Sequence, residues 1–321
     1  MHVAVMGAGA VGGYFGARLA TAGARVTFVA RGEHLAAMQS RGLQIKSAQG
    51  DLEIRASFVS RPDGADPADL ILFAVKSHDT EEAARSLGPF VGGDTAIVSL
   101  QNGVDNADRI ARLWGRDRTL AGVAYVAARV MAPGVIEHGS RGRIVLGPLH
   151  AGGQAHARAA QSALVGAKIA ADLSPNIQEA LWTKLGWSAP FCALSCLLRM
   201  TVGDIVGSAS LAPLVRGCVD EVLDAARSRG IDLPAATADE VVASSRTLRN
   251  VKTSMLQDLE AGKPLEHEAL NGIVVRTLQQ AGKRAPINEI FYSALGYIDR
   301  DLRAGRGGAP GSSTGEGAGA R

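Results

Sequence analysis

The feature that most constrains this chain lies in its first twelve residues. "HVAVM" (2–6) is a short β-favouring run, and the turn after it reads Gly7-Ala8-Gly9-Ala10-Val11-Gly12, a GxGxxG pattern. In such a turn the first glycine permits the tight reversal and the second lets the backbone approach a pyrophosphate. The third lets a helix pack closely on a strand. The helix that follows, ended by Gly23, offers free N–H groups and a positive dipole end to phosphates. The pattern alone is common. Placed between a strand and a helix, it reads as a dinucleotide fingerprint. The plain alternative is a glycine turn with no ligand.

"RVTFVA" (25–30) completes a β–turn–α–β unit. Its far end selects the cofactor. An NAD site usually carries an acid about 20 positions beyond the glycines, to hold the ribose 2′-hydroxyl. Here Arg31 stands in "FVARGEH". A guanidinium suits a 2′-phosphate through charge and planar donor geometry, which points to NADPH. A solvated surface arginine is the alternative.

Apolar runs recur at "LILFAV" (70–75), "TAIVSL" (95–100) and "RIVLG" (143–147), with helical stretches between several of them. That alternation predicts an α/β fold with a mainly parallel, Rossmann-type sheet covered by helices. "LQIK" (43–46) and "LEIRASF" (52–58) are expected to pair antiparallel around "SAQGD". Lys76 and Asn102 follow two of the strands. Ligands of such sheets bind outside the carboxyl ends of the strands, so both side chains are expected in the cofactor groove. For Asn102 an Asn-Gly turn is an equally good and compatible reading.

After Ser174 the β-rich runs stop and an all-α part follows. The predicted helices cover 175–198, 211–230, 233–248, 264–282 and 286–305, with Pro190 expected to bend or break the first of them. The expected domains are therefore 1–174 for the dinucleotide and 175–304 for substrate and catalysis. Residues 305–321, rich in Gly and Ser, are expected to be a disordered tail. Within "LWTKLGWSAPFCAL" (181–194), Lys184 is the one charge in an apolar run. Snorkelling of its stem would explain it. A lysine just past the domain boundary can instead face the cleft between the two parts, where substrates bind.

Composition removes several other classes. A net charge of +3 without a basic block argues against nucleic acid as a partner. Three cysteines (Cys192, Cys196 and Cys218) without a CxxC motif fit a reducing compartment, and no histidine or cysteine cluster completes a metal site. No run is long enough to span a membrane, and no signal-type segment opens the chain, so a cytoplasmic protein is expected.

Taken together, "GAGAVGG", "AVKS" with Lys76, "QNGVDN" with Asn102, "LWTKL" with Lys184 and "TSMLQDLEAGKPLEHEALNG" (253–272) resemble the ketopantoate reductase family (2-dehydropantoate 2-reductases) over nearly all of residues 1–304. The resemblance implies NADPH-dependent reduction of ketopantoate to pantoate, in pantothenate and coenzyme A biosynthesis, by a cytoplasmic enzyme for which a homodimer is a natural assembly. It implies that Lys184 is the general acid, that Glu266 contacts substrate, and that Asn102 positions substrate or nicotinamide. Ser254 would bond the substrate carboxylate, Arg31 would meet the 2′-phosphate, and Lys76 would lie near the cofactor. Outside the family pattern, Ser254 reads as a helix N-cap and Glu266 as a helix-surface acid. In family members that act on ketopantoate, asparagines often stand four and eight residues after the lysine, where they contact substrate. Ser188 and Cys192 occupy those positions here, and a thiol replaces an amide poorly. Another 2-keto acid is therefore the natural second substrate reading, and a non-catalytic NADPH-binding sensor is a third.

Overall fold

β1 (His2–Met6) is buried along its whole length, as its unbroken apolar run requires. The computed structural model describes residues 1–234 and 237–305. In it, β1 pairs in parallel with β2 (Arg25–Val29) on one side and β6 (Ala68–Phe73) on the other. α1 (Ala10–Thr21) makes the crossover between β1 and β2. Gly7 adopts φ +98°, and a Cβ there would come within 2.7 Å of the Val75 nitrogen. Only glycine serves at that turn.

Among the described residues the sheet has ten strands. The others are β3 (Leu43–Ser47), β4 (Leu52–Ile54), β5 (Ser57–Val59), β7 (Val91–Ser99), β8 (Thr119–Ala132), β9 (Val135–Pro148) and β10 (Ala170–Leu173). Their order is β4-β3-β9-β8-β7-β6-β1-β2-β5, with β10 on β9. Only β3–β4 and β8–β9 are antiparallel, so the sheet is mainly parallel as expected. α2 (Gly32–Arg41), α3 (Thr80–Arg85), α4 (Asn106–Trp114) and α5 (Gln154–Gly166) connect the strands.

Two details depart from the sequence expectation. "LEIRASF" does not form one strand. Leu52–Ile54 pairs with β3, whereas Ser57–Val59 crosses to the far edge and joins β2, where Phe58 stacks on Phe28 at 5.3 Å. Alternation marks a strand but not its partner. The second departure is β8, whose "TLAGVAYVAARVMA" is too rich in alanine to read as a strand. It forms a long hairpin with β9, and "RIVLG" is only the end of that second strand.

Beyond Leu173 every regular element among the described residues is helical: α6 (Ile177–Leu198), α7 (Val202–Gly207), α8 (Ala212–Ser228), α9 (Thr237–Ser245), α10 (Ser254–Glu260), α11 (Ile273–Gln280) and α12 (Pro286–Arg303). The tail expected at 305–321 lies outside the described residues from 306 onward. Pro190 is expected from the sequence to bend or break α6; the helix runs through it without a break. The proline and its neighbours Ala189, Phe191 and Cys192 are all buried, and packing around the helix outweighs the one missing N–H. Five residues, Glu268–Gly272, form a π-helical turn ahead of α11. The helical core also takes in Val104, Ala107, Ala121 and Val123 from the strand-bearing half, so one packed cluster spans both parts.

Candidate active site

A cleft of about 530 Å³ opens where the carboxyl ends of β1, β2, β6 and β7 face α6 and the start of α10. Gly7, Ala8, Gly9, Ala10 and Val11 line one wall. A Cβ on Gly9 would meet nothing within 4 Å, so its backbone is open to a ligand. Gly9 is the N-cap of α1 without a side-chain cap, and the first turn carries no acid, leaving the N–H groups and dipole for an anion. These features fit a dinucleotide pyrophosphate. Gly12 does not line the cleft. A Cβ there would lie 2.9 Å from Val5 Cγ1, so its role is the contact of helix on strand. Arg31 lies exposed at the end of β2, lining the same cleft, with Asp79 and Glu82 each 3.6 Å from its guanidinium. Those distances exceed a hydrogen bond and leave its donors available.

The helical wall of the cleft comes from one face of α6. Lys184, Ser188 and Cys192 are spaced i, i+4, i+8 and all line it. Lys184 Nζ donates to Asn102 Oδ1 at 3.2 Å. Asn102 Nδ2 donates to Glu266 Oε2 at 3.1 Å, and the Ser77 backbone N–H donates to Glu266 Oε1 at 2.9 Å. Lys76 hydrogen-bonds Asp258, and its Nζ lies 3.6 Å from Glu266 Oε2. Glu266 is therefore not a surface acid. It is 4% exposed and is joined to Lys184 through the Asn102 amide.

Charge and burial set the protonation of this row. Burial lowers the Lys184 pKa below the ordinary lysine value, and the negative charge of Glu266 opposes that only in part. Burial also works against the Lys76 charge, but Glu266 and then Asp258 outweigh it and hold its pKa above the ordinary value. Burial would raise the Glu266 pKa, yet Lys76 and the donors at Ser77 and Asn102 bring it below the usual range. The site therefore holds a carboxylate between two lysines, only one of which is easily deprotonated. Cys192 is 3% exposed, and burial pushes its thiol up to about 12. It is a neutral, weakly polar wall.

Ser254 lines the cleft, but it is not the helix cap. Thr253 caps α10, its Oγ1 accepting from the Leu256 N–H at 3.2 Å, and Ser254 takes the first helical position with an exposed side chain. The cap stands one residue earlier than expected because both residues can cap, and only backbone geometry separates them.

Other residues of the site carry no motif in the sequence. His34 Nε2 lies 2.9 Å from the Ala8 carbonyl, and its Nδ1 accepts from the Gly134 N–H at 3.0 Å. Those partners place its proton on Nε2, and burial lowers its pKa. It ties the glycine loop to the β8–β9 turn. Asn106 Nδ2 donates to the Asn102 carbonyl at 2.6 Å, and its Oδ1 accepts from Thr80 and Arg109. This network fixes the backbone that aims the Asn102 amide. Trp187 walls the cleft beside Lys184, its indole N–H bonded to Ser245 Oγ at 3.0 Å. Such roles show only once distant segments meet.

A Rossmann-type sheet, a glycine-loop cleft and a lysine–amide–carboxylate row shared between the sheet and the helical second part define a dinucleotide-dependent oxidoreductase. Comparison with known proteins narrows the class. The family described as ketopantoate reductase PanE/ApbA matches residues 3–151, and its C-terminal counterpart matches residues 176–299. A 2-dehydropantoate 2-reductase of Mesorhizobium japonicum is 30% identical over 88% of this chain and 92% of its own length. A PanE/ApbA family ketopantoate reductase from Ralstonia eutropha JMP134 is 33% identical, with a TM-score of 0.87 over 94% of this chain and 100% of that one. A D-mandelate dehydrogenase solved with NADH and anilino(oxo)acetate shares the fold, at 23% identity and a TM-score of 0.88 over 94% of this chain and 99% of that one. The chain belongs to the ketopantoate reductase family, a family of nicotinamide-dependent oxidoreductases.

Proposed function

We propose that this protein reduces the C2 ketone of 2-dehydropantoate to pantoate with NADPH, a step toward pantothenate and coenzyme A. Residues 1–174 would hold the cofactor, and residues 175–304 would supply the acid and most of the substrate contacts. The observation that carries the reading is the hydrogen-bonded row from Lys184 through Asn102 to Glu266, set across the cleft from the glycine loop.

The bound nicotinamide supplies the hydride. The chain's residues do the rest. Negative charge develops on the carbonyl oxygen, and the Lys184 ammonium stabilises it and gives up a proton. A lowered pKa makes that transfer easier. Asn102, accepting from Lys184 and donating to Glu266, fixes the direction of the ammonium. Ser254, which lines the cleft, and the Lys184 charge would orient the substrate carboxylate and so align C2 for reaction. Glu266, held by Lys76, Ser77 and Asn102, partly offsets the effect of burial on Lys184 and so favours its charged form. Arg31 supplies the countercharge for a 2′-phosphate.

A second substrate reading is favoured by one feature of α6. Ser188 and the neutral Cys192 thiol give the substrate end of the cleft fewer donors than two amides would. A 2-keto acid with an apolar side chain should then be reduced comparably well.

The test is NADPH oxidation by the full chain with ketopantoate and a panel of 2-keto acids. Turnover of ketopantoate is expected, with at least one apolar 2-keto acid within about tenfold in kcat/KM. Oxidation with none of them would overturn the enzyme assignment. Rejection of every acid lacking the C4 hydroxyl would leave ketopantoate as the sole substrate.

A further inference from the structure

One face of α1 lines a second pair of cavities, distinct from the cleft. Tyr14, Arg18 and Thr21 stand at helical spacing, and the two cavities, of about 690 and 450 Å³, share Tyr14, Arg18, Gln49 and Lys168. They have no lining residue in common with the cofactor cleft. β8 separates the two sites. Its Ala124, Val126, Ala128 and Val130 line the cleft, and Tyr125, pointing the other way, lines the larger cavity.

Three observations mark this cavity as built for an anion. The first is unmatched charge. Arg18, Arg141, Arg143 and Lys168 line it, yet only Arg143 has a carboxylate partner among the described residues, Asp172 at 2.6 Å. The second is Tyr14. It is 4% exposed, its ring stacks on His138 at 4.2 Å, and its hydroxyl makes no hydrogen bond among the described residues. A Cβ on Gly142 would come 2.8 Å from that hydroxyl, so the glycine leaves open the space the hydroxyl faces. The third is backbone conformation. Arg141 (φ 64°) and Lys168 (φ 57°) are two of the three non-glycine residues with positive φ among the described residues. The Arg141 carbonyl lies 2.8 Å from His138 Nε2, and the Lys168 carbonyl accepts from Arg18 at 3.1 Å. Lys168 is the left-handed residue that ends α5, with the Ile169 N–H bonded to the Leu164 carbonyl at 3.0 Å, and Arg141 sits at a bulge of the β8–β9 ladder; the helix end and the bulge present both side chains to the cavity.

We propose that this cavity is a second anion site, which binds a phosphorylated small molecule carrying at least two negative charges. Tyr14 donates to one oxygen, and Arg18, Arg141 and Lys168 supply the countercharge. Guanidinium forks match phosphate oxygens in charge and geometry. The volume is that of a small-molecule pocket and exceeds what inorganic phosphate needs.

Inorganic pyrophosphate, titrated calorimetrically into the full chain at low salt, is the probe. Arg141→Asn with Lys168→Asn removes two charges and keeps the backbone, because asparagine tolerates the left-handed region. The parent and Gly9→Ala, which obstructs the pyrophosphate position of the cofactor loop, should both show a saturable site. The paired asparagine variant should bind about tenfold or more weakly, as expected for lost charge-assisted bonds. Tyr14→Phe, which deletes one oxygen, should weaken binding several-fold, and it decides the matter if the paired variant does not fold. No saturable binding by the parent, or binding unchanged in both the paired variant and Tyr14→Phe, would overturn the proposal.

Discussion

At the scale of single residues, the Lys184 proton is the quantity to follow. A general acid works below its pKa, and burial has moved that pKa down. Ketone reduction should therefore fall as pH rises through the Lys184 pKa, at lower pH than for a free lysine. Glu266 opposes the downward shift, so Glu266→Gln should move the alkaline limb of kcat/KM to still lower pH. A limb that stays in place in that variant would show that the two groups are not coupled. Lys184→Ala should lose about 10²-fold or more in turnover, the range for a lost general acid, and keep cofactor affinity measured by fluorescence titration. Near-normal turnover would return this lysine to snorkelling. Arg31→Ala should weaken NADPH and spare NADH, because only NADPH has the phosphate to lose. Equal weakening of both would give Arg31 another role.

At the scale of elements, the glycines of the first turn separate stability from binding. Gly12 packs directly on the first turn and β1, and a methyl group added to its Cα would stand 2.2 Å from the Gly7 carbonyl oxygen and 2.9 Å from Val5 Cγ1. Gly12→Ala should destabilise the fold by about 1–3 kcal/mol, the usual range for overpacking, read as a lower Tm. Gly9 has open space instead. Gly9→Ala should leave Tm within a few degrees and weaken the cofactor, because a methyl group then stands where the pyrophosphate approaches. If both variants behaved alike, the loop would be a structural turn and not a binding loop. α6 makes a related point. Cys192 joins Lys184 and Ser188 on its cleft face only because the helix continues through Pro190.

At the scale of the whole molecule, the two parts are joined by packing and by charge. Val104, Ala107, Ala121 and Val123 belong to the helical core, and Lys76 and Ser77 reach across to Asp258 and Glu266. Scanning calorimetry should accordingly show one cooperative transition, and two resolved transitions would contradict the shared core. Asp258→Asn removes the hydrogen-bonded carboxylate of Lys76 and leaves Glu266 at 3.6 Å. Because Lys76 is 39% exposed at its side chain and Asp258 only 11%, the loss should fall between surface and buried pairs, about 1–2 kcal/mol.

Much of this can be read from local order alone. The glycine turn, the strand before it and the helix after it are neighbours in sequence, and short-range sterics and hydrogen bonding specify them wherever they occur. The change from alternating strands to helices is equally local, since it follows from hydrophobic period. The candidate residues Lys184, Asn102 and Glu266 are legible through the family pattern, but their connection is not. Asn102 and Glu266 are 164 positions apart and hydrogen-bonded. The same limit hides β8, whose alanines become a strand through pairing with β7 and β9, and the continuity of α6, which depends on buried packing around Pro190. It hides His34, which does its work between a loop and a hairpin turn. Sequence determines what each segment can form and which groups it carries. Tertiary structure decides which groups meet, because desolvation and charge pairing act between atoms brought together in space, whatever their distance along the chain.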